Sequence, residues 1–367
     1  MGPRFANRIT NAQKLMTESG LDLLIVVNRE NLIYFTGMIQ IECLAILIPK
    51  EGDPCAVTLW LDAEFVSDES GIKTYGYLFP KENLVGKMIE RIKAFGMKEP
   101  KIGFERYFVD FGVYDGLRQA FPERLFTGAG ELFYRLRSIK EAQEVDLMRH
   151  AGEAACAGMD AAIKAVRPGA RELDILAEAE YAMLKAGSGG SSFRPQVVSG
   201  TRTLLTHPCA SNKLIAGGEI VIIHVGSTYE GYCSKMCRTV AVGSIPKEQQ
   251  EIYELVLTAQ QAAIDALRPG VTAGQVDAAA RKVIIEAGYG KHYLDHIGYG
   301  VGLRQSEFYP IIGKERPEMI QSGMIVDLLL SSVYVKDIGG PRVTDVIHVG
   351  GAENEILTRY PRNLFRA

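Results

Sequence analysis

A chain of 367 residues, 47% of them hydrophobic, is long enough for two or three domains with large cores. Its 41 basic and 44 acidic residues nearly balance, which excludes a polyanion such as nucleic acid as the expected partner. No apolar run approaches the ~18 residues of a membrane span, the first twenty residues lack the apolar core of a secretion signal, and the six scattered cysteines form no C-x-x-C pair. A soluble, cytoplasmic protein with reduced thiols is expected.

In chain order, Phe5, Ile9, Ala12, Leu15 and Met16 fall near helical spacing and stop at Gly20, which predicts a first helix. Stretches 21–27, 32–35, 43–49 and 56–61 read as short apolar strands separated by Asn, Gly and Pro, and 82–95 reads as a helix. These predict an α/β domain over residues 1–134 and a second domain over 135–367. The junction opens with Arg135-Leu136-Arg137-Ser138-Ile139-Lys140-Glu141 and reads as an amphipathic helix with Lys140 paired to Glu144.

The second domain repeats itself. Ala161–Gly169, ending Arg167-Pro168-Gly169, recurs 101 residues later ending Arg268-Pro269-Gly270, and each copy precedes another helical pattern closed by Ala-Gly. Between the copies, 220–242 reads as a hairpin: an apolar run over 220–225, a turn marked by Gly226 and Glu230-Gly231, and an alternating strand from Tyr232. Alternation places Cys233, Lys235 and Cys237 on one face, and His224 with Ile222 and Gly226. His224, Cys233, Lys235 and Cys237 become candidates for one polar site on a buried sheet.

Val225-Gly226, Gly231-Tyr232, Ser234 and Arg238-Thr239 resemble the segment D-x-G, Gly-Tyr, S-D-x-T-R-T of the pita-bread superfamily, shared by methionine aminopeptidase, prolidase, aminopeptidase P and creatinase. Asn31, Tyr34, Thr36 and Gly37 are similar to the N-x-x-Y-x-[TS]-G of a leading domain that methionine aminopeptidases lack. Further likenesses run through Ser191-Ser192-Phe193 to His207-Pro208, Asp295 to Leu303, residues 324–332, Gly340 to Asp345, and Tyr360-Pro361-Arg362-Asn363-Leu364. The resemblance implies an α/β (α+β) chain with an N-terminal creatinase-type domain and a pseudo-symmetric pita-bread domain holding the active site between its halves. It also implies a homodimer whose N-terminal domain reaches the partner's active site. Glu42 would be such a contact or an ordinary strand-end charge.

The five positions at which the resemblance implies metal ligands read His224, Lys235, Tyr299, Leu329 and Thr344. Two divalent ions need bridging carboxylates, and this set supplies none and adds an ammonium, so neither metal nor cofactor is expected. Creatinase and ectoine hydrolase are the metal-free members this case resembles. The expected function is therefore metal-independent hydrolysis of a C–N bond in a small, carboxylate-bearing, non-peptide substrate. His207 stands where the resemblance implies a His that contacts substrate in the peptidases and is the base in creatinase; it is the expected general base, and His207 or His224 would shuttle the proton. Cys237, 30 residues after His207, stands where creatinase has a catalytic Glu. It is either a nucleophile activated by Lys235 or a small packing residue. Tyr299 and Lys235 would stabilise negative charge, and Arg342, Thr344 and Asp295 would bind substrate, Arg342 as a carboxylate clamp. Two alternatives stay open: an inactive, peptidase-like binding protein, and a rebuilt mononuclear zinc site on His207, His224 and a Cys, which Lys235 would oppose.

Overall fold

In a computed structural model of the protein, residues 5–40, 42, 44–105, 109–329 and 333–367 are described. The chain divides into two compact units, Met1–Arg137 and Ser138–Ala367.

The first unit carries one mixed sheet built from β1 (Leu23–Val26), β2 (Ala45–Pro49), β3 (Cys55–Leu59), β4 (Lys73–Tyr77), β5 (Ile102–Phe104) and β6 (Phe126–Gly128), in the order β4-β3-β2-β1-β5-β6. The expected first helix is α1 (Ala6–Glu18), and the helix expected over 82–95 is α4 (Leu84–Ala94), after α2 (Arg29–Thr36) and α3 (Ala63–Ser70) and before α5 (Phe111–Ala120) and α6 (Gly130–Ser138). One expectation fails: residues 32–35, read as a strand, lie inside α2. Local caps decide this. The Asn28 side chain accepts from the Asn31 backbone N–H at the start, and Gly37 closes the helix at φ 73. The strand expected over 43–49 begins at Ala45, and its expected first residue, Cys43, lies outside the described residues.

The second unit fulfils the duplication. Helices α7 (Ala142–Ala165) and α8 (Glu172–Lys185) share a core with β7 (Gln196–Ser199), β8 (Ile220–Tyr229) and β9 (Tyr232–Ala241). Helices α9 (Lys247–Ala266) and α10 (Ala273–Glu286) share another with β10 (His296–Gly300), β11 (Glu307–Gly313), β12 (Ile325–Leu328) and β13 (Asp345–His348). The two Arg-Pro-Gly stops follow α7 and α9, with Gly169 at φ 82 and Gly270 at φ 89, a backbone region where a Cβ is disfavoured. Each buried Ile, Val or Met on these faces contributes roughly 1.5–3 kcal/mol relative to exposure. The cores thus hold two sheets rigidly, and the polar residues between them inherit that rigidity.

Candidate functional site

The β8–β9 hairpin organises the site. Its register pairs Tyr229 with Tyr232, so the loop is the two residues Glu230 and Gly231, both at positive φ, as a tight hairpin turn requires. Gly226, expected at the turn, lies instead within β8 opposite Lys235. A Cβ at Gly226 would collide with Ser192 and the Phe193 ring, so glycine is needed there for close approach.

Lys235 is fully buried, and its ammonium has three oxygens around it: Asp327 Oδ2 at 2.5 Å, Gln305 Oε1 at 2.9 Å and Ser306 Oγ at 2.9 Å. Two of its N–H groups donate, to Gln305 and Ser306, and its charge is paired by Asp327 in ion-pair contact. That pairing weighs against the expected role of Lys235 in stabilising charge on a substrate. Asp327, on β12, is also fully buried, and its other oxygen accepts from the Tyr299 backbone N–H at 2.5 Å. Burial pushes the Asp327 carboxyl above its usual range while the Lys235 ammonium opposes the rise. Sequence reasoning missed Asp327. Its signal is present: an acid alone in Ile325-Val326-Asp327-Leu328 needs a counter-charge when the strand is buried.

His224 faces the same interior. Its ring lies 4.6 Å from that of Phe193, and neither buried ring nitrogen has a hydrogen-bond partner. Burial first, then the charges of Lys235 and Arg342 and the nearby His207, hold its pKa well below the usual value, so the imidazole is neutral at neutral pH. His207 itself is exposed. Tyr299 is half-buried, its ring 5.3 Å from that of His296 and 6.1 Å from that of Phe308. Burial and the Asp327 carboxylate push its phenol upward, so it remains a hydrogen-bond donor at neutral pH.

Of the two readings left open for Cys237, its surroundings favour packing over a nucleophile. Its side chain is fully buried in a small cluster with Val198 and Ile222, and burial pushes the thiol up to about 12 despite Arg342 and Arg238 nearby. Sequence shows residue type and face but not the depth that disfavours a thiolate. Iodoacetamide at pH 8 is therefore expected to leave Cys237 unmodified in the native protein and to label it only after denaturation, as read by peptide mass mapping. Labelling of native Cys237 at the rate of a free thiol would contradict this.

The remaining candidates are dispersed or engaged. Arg342 is buried and its two terminal nitrogens donate to Gln196 Oε1 at 3.2 Å and to the carbonyls of Thr203 and Leu205 at 3.4 and 2.5 Å, leaving only Nε unpartnered. The fork expected to clamp a carboxylate thus holds the 203–205 backbone. Thr344 donates to the Leu329 carbonyl at 2.8 Å, and Leu329 is buried at φ 63. Asp295 is exposed just before β10. Glu42, in the first unit, is exposed and lines a cavity of about 460 Å³ with Arg29, Gln40 and Asp110. Residues 330–332, at the end of the 324–332 likeness, lie outside the described residues.

An imidazole, a paired ammonium, a phenol, an alkyl chain and a hydroxyl do not fit a pair of divalent cations. Among the described residues no three His, Cys, Asp or Glu side chains are grouped to hold a metal ion.

Residues 146–350 match the model of metallopeptidase family M24, and residues 8–139 match the creatinase/prolidase N-terminal domain. The chain is 30% identical over 354 residues to an Xaa-Pro dipeptidase of Pyrococcus horikoshii, covering 96% of each. It is 30% identical over 341 residues to an Xaa-Pro dipeptidase of Lactobacillus delbrueckii subsp. lactis, covering 91% of each. Among solved structures, an Xaa-Pro dipeptidase from Bacillus anthracis superposes with a TM-score of 0.91 at 28% identity over 99% of both chains, and the prolidase from Pyrococcus horikoshii with 0.88 at 30% over 98% of this chain and 99% of that one. These findings correct the expected metal-independent hydrolysis of a non-peptide substrate: the matching family is one of metallopeptidases, and the relatives are named for dipeptides. The broader expectation of a hydrolase acting on a C–N bond agrees with them. Matched over more than half its length and 30% identical to a relative across nearly all of it, the chain belongs to metallopeptidase family M24.

Proposed function

We propose that the second unit takes a short peptide of the dipeptide class and that hydrolysis of its C–N bond is the reaction. The observation that carries this reading is the likeness to proteins named Xaa-Pro dipeptidases over 96% of both chains. The residues present fit binding of such a ligand more readily than they fit the family's ions. The protonated Tyr299 phenol, half-buried at the site, can donate to a peptide carbonyl, and the exposed His207 beside His224 supplies an imidazole that solvent and ligand can reach. The side chains at the ligand positions do not fit a metal ion.

The test is a panel of Xaa-Pro and other dipeptides given to the full chain with and without added Mn²⁺, read by calorimetry for binding and by mass spectrometry for released amino acids. Binding of a dipeptide subset with release of its C-terminal residue is expected. Tyr299→Phe should weaken that binding about 3–10-fold, the worth of one hydrogen bond of ~0.5–1.5 kcal/mol. A chain that neither binds nor cleaves any dipeptide would end the reading.

We further propose a cytoplasmic homodimer. The cytoplasm is supported by the five described cysteines, all free, and no helix among the described residues is long and apolar enough to cross a membrane. Association is supported by Trp60, Leu61, Phe65, Leu78 and Phe79, large apolar side chains around the β3–β4 end of the first unit and all at least 50% exposed. Light scattering should give twice the chain's 40.3 kDa, and Phe79→Asp should shift it toward the monomer. A monomeric parent at micromolar concentration would rule this out.

A further inference from the structure

We infer that Lys235 is a built-in counter-cation: its ammonium takes the place on the hairpin that a divalent ion would need, and closes the site to such ions. Three observations converge on this. Lys235 stands on β9 opposite Gly226 and two pairs from His224, so it occupies the centre of the position from which a metal ligand would project. Its Nζ is surrounded as a small cation would be, by a carboxylate, an amide oxygen and a hydroxyl at 2.5 to 2.9 Å. Asp327, the carboxylate in contact with it, is fully buried and shares its other oxygen with a backbone N–H.

A divalent ion approaching His224 and Asp327 would therefore meet a fixed positive charge rather than a cage of anions, and Asp327 has no second negative charge to offer it. The ammonium cannot step aside cheaply, because leaving would strand Asp327 in the interior. His224 adds an independent sign. It is buried with both ring nitrogens unpartnered, and an imidazole in that state is a ready ligand from which the positive charges of Lys235 and Arg342 repel a cation. The pocket has thus exchanged an exchangeable cation for a covalently attached one. The inference does not depend on the peptide reading, because it concerns the charge of the site and not its ligand.

The experiment is a titration of the full chain with Mn²⁺, Co²⁺ and Zn²⁺ followed by calorimetry and thermal melting, after dialysis against a chelator. The parent should show neither a saturable site in the micromolar range nor a metal-dependent rise in melting temperature above about 1 °C. Lys235→Asp, which faces Asp327 and His224 with a second carboxylate, should gain a saturable site and melt several degrees higher with Mn²⁺ than without. A parent that binds one or more Mn²⁺ per chain, with that binding lost in His224→Ala, overturns the inference. The parent titration decides even if Lys235→Asp does not fold, and it is read without reference to turnover. Dipeptide cleavage can fail while the metal result stands, and the reverse.

Discussion

Asp327→Ala is expected to lower the free energy of unfolding by about 3–5 kcal/mol, the usual consequence of removing one partner of a fully buried ion pair. Asp327 and Lys235 are both 0% exposed, so neither charge can turn to water when the other is lost. Gln305 and Ser306 would still accept from the ammonium but bring no negative charge, and the Tyr299 N–H would lose its acceptor as well. The pair itself need not be a net source of stability, because desolvating two ions offsets much of their attraction. Lys235→Met with Asp327→Leu should accordingly fall within about 2 kcal/mol of the parent, since that double change removes both charges and keeps the volume. Urea denaturation of the parent, the single variant and the double variant, with equal m-values, measures the difference. A single variant costing under about 1 kcal/mol would mean that Lys235 is not held as an ion in this interior.

The same pair shows how far sequence reaches. The hairpin, its alternation and the presence of Lys235 on a buried face were all legible, because period-two patterning over 232–241 leaves one choice of register once the turn is placed. The duplicated helix pairs were legible from two Arg-Pro-Gly stops that end helices for a local reason. What failed was whatever depended on the third dimension. Asp327 sits in a different strand, 92 positions from its partner, so no local signal links them. Cys237 stayed open between nucleophile and packing because a lysine and a histidine are near it in the pattern, whereas the structure clusters it, fully buried, with Val198 and Ile222. Residues 32–35 read as a strand because four apolar residues carry no period, and the deciding caps, Asn28 and Gly37, lie outside that window. The function expected from substituted ligand positions failed for a further reason: loss of a cage describes what a site no longer holds and says nothing of the substrate its frame was shaped for.

Arg238 is where the second unit should be most sensitive outside the cleft. It neighbours Cys237 on β9 with its side chain fully buried, and it donates to the Pro361 carbonyl at 2.7 Å, the Cys237 carbonyl at 2.7 Å, the Thr344 carbonyl at 2.9 Å, the Tyr360 carbonyl at 3.0 Å and Asp345 Oδ1 at 2.7 Å. One guanidinium thereby ties β9 to β13 and to the closing Tyr360-Pro361 segment. Asp345 has other donors in Thr358 Oγ at 2.8 Å and Gln260 Nε2 at 3.1 Å, so it would not be left bare. The Cys237 and Thr344 carbonyls each also accept from the other's backbone N–H at 3.1 Å, so the Pro361 and Tyr360 carbonyls, in the closing segment, are the ones that depend most on Arg238. Arg238→Met should therefore cost about 3–5 kcal/mol and, more tellingly, raise amide exchange over 357–362 well before the core of β8 and β9 opens. Arg238→Lys should recover less than half of that cost, because an ammonium offers three donors to a ring of acceptors arranged for a planar fork. Hydrogen exchange by mass spectrometry separates local release from global destabilisation. Uniform acceleration across both halves, with no early opening at 357–362, would show that Arg238 supports the fold at large and is not the tie between its closing segment and the site.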